Sequence, residues 1–141
     1  MTFAKILFNS VVSTPNVRMV AMDVKDFYLN TVVKIFEYMR ILLALISPEI
    51  VTQYNLEALV HTSGYIYIEI RKGMYGLPQA GLLAYQKLTK HLAKAGYRPT
   101  KHTPGIWTHN HRPIAFSLAV DNFRIKYTNK ANAEHLLATL C

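Results

Sequence analysis

The sequence predicts an α+β fold, a mixed or antiparallel sheet with helices packed on one face. Three observations carry this. Tyr65 to Arg71 alternates strictly, with Ile66, Ile68 and Ile70 on one side and Tyr65, Tyr67, Glu69 and Arg71 on the other, the pattern of a half-buried strand. Two further apolar runs, ending in Met22-Asp23 and in Val120-Asp121, read as strands that stop on a carboxylate. Segments with helical spacing lie between and after them, bounded by Pro and Gly.

The elements follow in order. A short helix over about residues 3–12 ends at the turn-rich Ser13-Thr14-Pro15-Asn16. Residues 17–24, apolar and rich in Met and Val, suit a strand buried on both faces. From Lys34 to Ile46, the residues Ile35, Phe36, Met39, Leu42, Leu43 and Ile46 fall at helical spacing, which predicts an amphipathic helix. Pro48-Glu49 then starts another short helix through about Val60. His61-Thr62-Ser63-Gly64 is a loop into the alternating strand. Gly73, Gly76 and Pro78 permit a tight passage into a helix from about Gln79 to Ala95, which Gly96 stops. Pro113 to Val120 is a strand, Asp121-Asn122 its turn, and Phe123 to Thr128 the returning strand. Lys130 to Leu140 is a final helix. The predicted order is α, β, α, α, β, α, β, β, α, without internal repeats or linkers.

Composition narrows the classes. A chain of 141 residues suits one domain with a real core, and 51% hydrophobic content with 17% charged residues argues against wholesale disorder. The net charge of +8 suits a polyanion partner such as nucleic acid. One cysteine, Cys141, allows neither an intrachain disulfide nor a thiolate zinc cluster, which fits a reducing intracellular compartment, cytoplasm or nucleus. The greasiest stretch, Ile41 to Ile46, is closed off by Arg40 and Pro48, far short of the roughly 20 residues a membrane span needs. Asn9 and Ser10 interrupt the apolar opening too early for a signal peptide. His102, His109 and His111 lack cysteine or acidic partners and read as part of a surface hairpin rather than a metal site.

The chemistry lies in the acids. Strands ending at Asp23 and Asp121, if adjacent, hold two carboxylates close enough to share a divalent cation. Mg²⁺ takes hard oxygen ligands and keeps positions for water or phosphate, and two-metal nucleotidyl transfer uses that arrangement.

Asp23-Val24-Lys25-Asp26-Phe27-Tyr28-Leu29-Asn30, Glu37-Tyr38-Met39-Arg40, Lys72-Gly73-Met74-Tyr75-Gly76-Leu77-Pro78-Gln79-Ala80, Gly96-Tyr97, Thr103-Pro104-Gly105-Ile106-Trp107 and Ala119-Val120-Asp121-Asn122 occur in that order. Together they resemble the palm of a reverse transcriptase, in particular that of copia-type retrotransposons. The resemblance covers residues 1–141 as a partial domain, the end of the fingers plus the palm, with thumb and RNase H absent. It implies a palm-like sheet and two-metal RNA-directed DNA polymerisation with Mg²⁺, or Mn²⁺ in its place. It implies template-primer and deoxynucleoside triphosphates as partners, alongside the rest of a retroelement polyprotein. Asp23 and Asp121 take the metal-binding positions. Tyr28 takes that of the ring beneath the incoming sugar, and Gln79 and Gly76 fall in the nucleotide motif. Lys87, Lys90 and Lys94 form a basic stripe that either contacts template or is merely the wet face of its helix.

Four departures stand out against the family pattern. Asn122 replaces the second aspartate, Arg124 a glycine, Phe27 a small residue and Leu42 a proline. Asn122, a degenerate catalytic position, brings an oxygen but no charge, so the resemblance implies an impaired, fragmentary copy. Two other readings remain open: a non-catalytic nucleic-acid-binding remnant, and a membrane-surface or partner-binding protein using the amphipathic segment Lys34 to Ile46.

Overall fold

The computed structural model describes residues 2–140; Met1 and Cys141, the single cysteine, lie outside them. Helix α1 (Thr2–Val12) leads into strand β1 (Arg18–Asp23). Strand β2 (Val32–Leu42) runs into a 3₁₀ turn (Leu43–Leu45), helix α2 (Pro48–Gln53), a second 3₁₀ turn (Leu56–Leu59) and strand β3 (Tyr65–Lys72). Helix α3 (Pro78–Lys94) precedes strands β4 (Tyr97–Pro99), β5 (Ile106–His109), β6 (Ile114–Ala119) and β7 (Asn122–Tyr127). Helix α4 (Lys130–Leu140) closes the described chain.

The described residues form two sheets. A five-stranded sheet has the order β1-β7-β6-β5-β4, and β2 pairs with β3 alone. Every pairing among the described residues is antiparallel, so the α+β class holds, and of the expected mixed or antiparallel sheet the antiparallel form is the one present. Short connections explain this: β4 through β7 are joined by turns and loops, which only antiparallel neighbours allow.

The core fills one face of the larger sheet. Phe116, Phe123 and Ile125 meet Leu88 and Leu92 of α3 and Leu136 of α4, with Tyr97 and Trp107 completing a fully enclosed group. Phe116 and Ile125 are direct cross-strand partners and share that face. Ala115, Ser117, Arg124 and Lys126 face the other way, and there α1 packs. Lys126 Nζ reaches Ser10 O and Thr14 Oγ1, each at 3.0 Å, tying α1 to that side. Helices therefore cover both faces, not one. Burial of Leu7 on α1 supplies the apolar anchor.

The predicted helix over Lys34 to Ile46 is corrected: most of it is strand β2. Val32, Val33, Ile35, Phe36 and Tyr38 are β-branched or aromatic and favour a pleated surface, and β3 offers a partner from Glu37↔Ile70 to Leu42↔Tyr65. Arg40 lies over the Tyr65 ring at 4.5 Å, a cross-strand contact that no helix could make. The membrane-surface reading loses the amphipathic helix on which it stood. The helix from Pro48 stops at Gln53, because Asn55 takes a left-handed φ of 49° before the second 3₁₀ turn. Strand β1 is an edge strand exposed along much of its length, not buried on both faces. Strands β4 and β5 stand outside the predicted element order, although the surface hairpin expected around His102, His109 and His111 falls on β5 and its turn into β6.

Candidate functional site

The two acidic signatures meet at one end of the larger sheet. Asp23 ends β1 and Asn122 begins β7, and they are direct partners in the register. Opposed antiparallel residues have Cα atoms about 5 Å apart. Val24 N–H donates to the Asp121 carbonyl at 3.1 Å, extending the pairing one step past the strand end. The β6–β7 hairpin turns on Val120-Asp121, since Ala119 pairs with Asn122, one residue earlier than the expected Asp121-Asn122. Val120 carries φ of 62°, a left-handed conformation that costs a β-branched residue about 1–3 kcal/mol. That strained turn holds Asp121 against the end of β1.

Asp121 is 9% exposed, whereas Asp23 is open to solvent. Both Asp121 carboxylate oxygens are engaged. Tyr75 O–H donates to Oδ2 at 3.1 Å, and Asn122 Nδ2 donates to Oδ1 at 3.0 Å. No ion pair among the described residues involves Asp121, so only neutral donors offset its charge. The Tyr75 phenol is held above its ordinary pKa, first by that hydrogen bond to Asp121, then by desolvation and by the nearby charge of Asp121, Tyr28 and Asp23.

Tyr28 follows Asp23 in a loop anchored by the buried Phe27. Its ring stands edge-on to Tyr75 at 4.6 Å and to Phe27 at 5.3 Å. Gly73 is needed beside it: a Cβ there would lie 2.6 Å from the Tyr28 carbonyl oxygen. Gly73 N–H donates to Thr31 O at 2.7 Å, and Thr31 N–H to Tyr28 O at 2.9 Å, so the Tyr28 loop and the end of β3 are fastened together. Gly76, with φ of 92° and open space around it, gives the passage into α3 its left-handed turn.

Gln79 is not free. Its Nε2 donates to Ile35 O at 2.8 Å and to Glu37 Oε1 at 3.0 Å, which ties α3 to β2. Lys87, Lys90 and Lys94 do not reach the acids. They rim a cavity of about 680 Å³ floored by Phe27 and Leu88, and Lys87 Nζ donates to Asn30 O at 2.9 Å. Of the residues expected at the site, the fold brings together Asp23, Asp121, Asn122 and Tyr28, with Gly76 in the adjoining loop. It ties Gln79 to β2 and sets the lysines apart. Tyr75 is the participant that sequence reasoning missed. Its signal was an aromatic residue flanked by glycines just ahead of a helix.

The donors at this end of the sheet are hard oxygens: the carboxylates of Asp23 and Asp121 and the amide oxygen of Asn122. Mg²⁺ commonly takes one or two carboxylates and fills its other positions with water and phosphate oxygens. Among the described residues no cluster of three or more His, Cys, Asp or Glu could enclose a metal, so a cation here depends on outside ligands. Two carboxylates offset one divalent charge, not two. No protein-family model, no curated protein and no solved structure matches the chain.

Proposed function

We propose that the chain is a palm-type nucleotidyl-transfer unit, of the RNA-directed DNA polymerase kind that copia-type retroelements carry, with a weakened metal site. The observation that supports it is the register pair Asp23↔Asn122, with Asp121 beside it in the turn. That pairing joins two signatures far apart in the sequence. In this reading Asp23 and Asp121 hold the cation, whose chemistry is to activate a primer hydroxyl and neutralise a triphosphate. The Tyr28 ring shapes the sugar position. Template-primer and deoxynucleoside triphosphates are the partners.

Asn122 sets the level of activity. Its amide lacks the charge that a carboxylate brings, worth roughly 4 kcal/mol at about 4 Å with an effective dielectric near 20. Even a screened part of that gives about a tenfold to thousandfold effect. Primer extension and Mn²⁺ affinity, measured for the full chain and for Asn122→Asp and Asp23→Ala, test the assignment. Asn122→Asp raises both quantities and Asp23→Ala lowers Mn²⁺ affinity. Unchanged Mn²⁺ affinity in both variants sinks the assignment.

A second reading has its own observation. Lys87, Lys90 and Lys94 have no acidic partner among the described residues and line one cavity, which suits non-catalytic binding of a nucleic-acid backbone. Under that reading, oligonucleotide binding persists in Asp23→Ala and weakens steeply with salt.

A further inference from the structure

We propose that Tyr75 is a latch on the carboxylate pair, its hydroxyl holding the Asp121 oxygen that an incoming divalent cation takes. The inference rests on the reading of Asp23 and Asp121 as a cation site, and deepens it.

The geometry carries the argument. Asp121 is nearly buried, its Oδ1 occupied by Asn122 Nδ2 from its own hairpin and its Oδ2 by Tyr75 from a different element. The Asn122 backbone is fixed in the ladder opposite Asp23, so its short side chain stays beside Asp121. Tyr75 can leave. Tyr75 is 70% exposed, and among the described residues its hydroxyl bonds Asp121 and its ring stands edge-on to Tyr28. It sits between the fastened Gly73 and Gly76, whose surroundings are open. Departure of Tyr75 therefore costs one hydrogen bond and little packing.

The phenol takes one of the two lone pairs on Asp121 Oδ2. A cation approaching Oδ2 competes with that donor for the oxygen's charge and for the space in front of it. Without a cation, the phenol keeps a nearly buried charge satisfied, as an unpaired carboxylate in that position is costly. With one, the cation takes over that role and the hydroxyl is surplus. Cation entry and Tyr75 release are then a single exchange, and the 73–77 loop leading into α3 changes conformation with metal occupancy.

The experiment is Mn²⁺ binding to the full chain by electron paramagnetic resonance, for wild type, Tyr75→Phe, Asp121→Asn and the double variant. Tyr75→Phe keeps the ring against Tyr28 and removes only the competing hydroxyl; circular dichroism checks that it stays folded, and Tyr75→Leu repeats the test without the ring. Tyr75→Phe tightens Mn²⁺ binding by about tenfold, the lower end for a bond to a charged group because the phenol is exposed. Asp121→Asn removes the gain in the double variant. If Tyr75→Phe and Tyr75→Leu leave an Asp121-dependent affinity unchanged or weaken it, the latch is wrong and the cation site stands. If neither wild type nor Tyr75→Phe binds Mn²⁺, or if binding ignores Asp121, the cation site itself is wrong and the latch falls with it.

Discussion

The five-stranded body and the β2–β3 arm contrast sharply in how they use apolar residues. In the body, Trp107, Phe116, Phe123, Ile125 and Leu136 are fully enclosed between the sheet and α3 and α4. The arm buries little beyond Val33 and Ile66, and leaves Ile35 73%, Tyr67 66% and Leu45 73% exposed. Both regions are antiparallel β-structure, yet only one owes its shape to burial. The arm is held by its ladder, by cross-strand contacts such as Arg40 over Tyr65, and by the Gln79 bonds to β2. A two-stranded hairpin alone is marginal in water, so its order depends on the body.

The largest effect that separates the two is truncation of a core ring. Trp107→Ala lowers unfolding free energy by about 3–5 kcal/mol, whereas Ile35→Ala in the arm changes it by less than about 0.5 kcal/mol. Urea denaturation measures both. Equal losses would mean that the arm is as tightly packed as the body.

Gly73 joins the two regions and should rank next. Gly73→Ala forces a methyl against the Tyr28 carbonyl, 2.6 Å away, and against Ala80 Cβ at 3.2 Å. Because the nearest atom is backbone, relief requires the β3 end and the Tyr28 loop to separate, costing about 1–3 kcal/mol. The Tyr28–Tyr75 contact and cation affinity fall with it. Gly76→Ala meets no atom but must hold φ of 92°, so its cost is conformational only, about 1 kcal/mol. A Gly76→Ala loss larger than that of Gly73→Ala would show that the two loops are not fastened as described.

Gln79→Ala is expected to cost less than Gly73→Ala and about as much as Gly76→Ala. It removes both bonds from α3 to β2 at a partly exposed position, for a loss of about 1 kcal/mol. Its distinguishing signature is local: faster amide exchange across β2 and β3, with β6 and β7 unchanged. Uniform acceleration through both sheets would mean that arm and body unfold as one unit.

This contrast also explains what could be read from the sequence. In the body, the α3–α4 face of β6 and β7 takes the large apolar side chains and the α1 face takes Ala115, Ser117, Arg124 and Lys126, so β6, β7, α3 and α4 are legible from period, Pro and Gly. In the arm, Ile35, Phe36 and Met39 are not sorted by burial, so their spacing fitted a helix as well as a strand and misled. Strands β4 and β5 are short, and their pattern is masked by Pro99 and Pro104. Asp23 and Asp121 were legible because an apolar run stopping on an acid marks a strand end. That the turn falls on Val120-Asp121, with the positive φ on valine, was not, since Asp and Asn are the residues that ordinarily accept that conformation. Tyr75 was hidden because its partner, Asp121, lies far along the chain.

The smallest expected effect is a pH dependence that belongs to the body alone. His135 on α4 has Nδ1 2.8 Å from the Tyr97 hydroxyl and its ring 5.5 Å from that of His109. Its pKa is lowered, first by burial and then by the charges of Arg112 and His109. The unfolded chain therefore binds the His135 proton more readily than the folded one. The stability due to neutral His135 is complete above the unfolded value near 6.5 and is lost as pH falls through the lower folded value. The urea midpoint of the body should decline over that window, and His135→Gln should flatten the decline while leaving the Tyr97 hydroxyl a partner. Partial exposure of His135 keeps the effect small. Exchange rates in β2 and β3 should not follow the midpoint, because no histidine lies in either strand. A decline that persists unchanged in His135→Gln would show that the sensitivity does not come from His135.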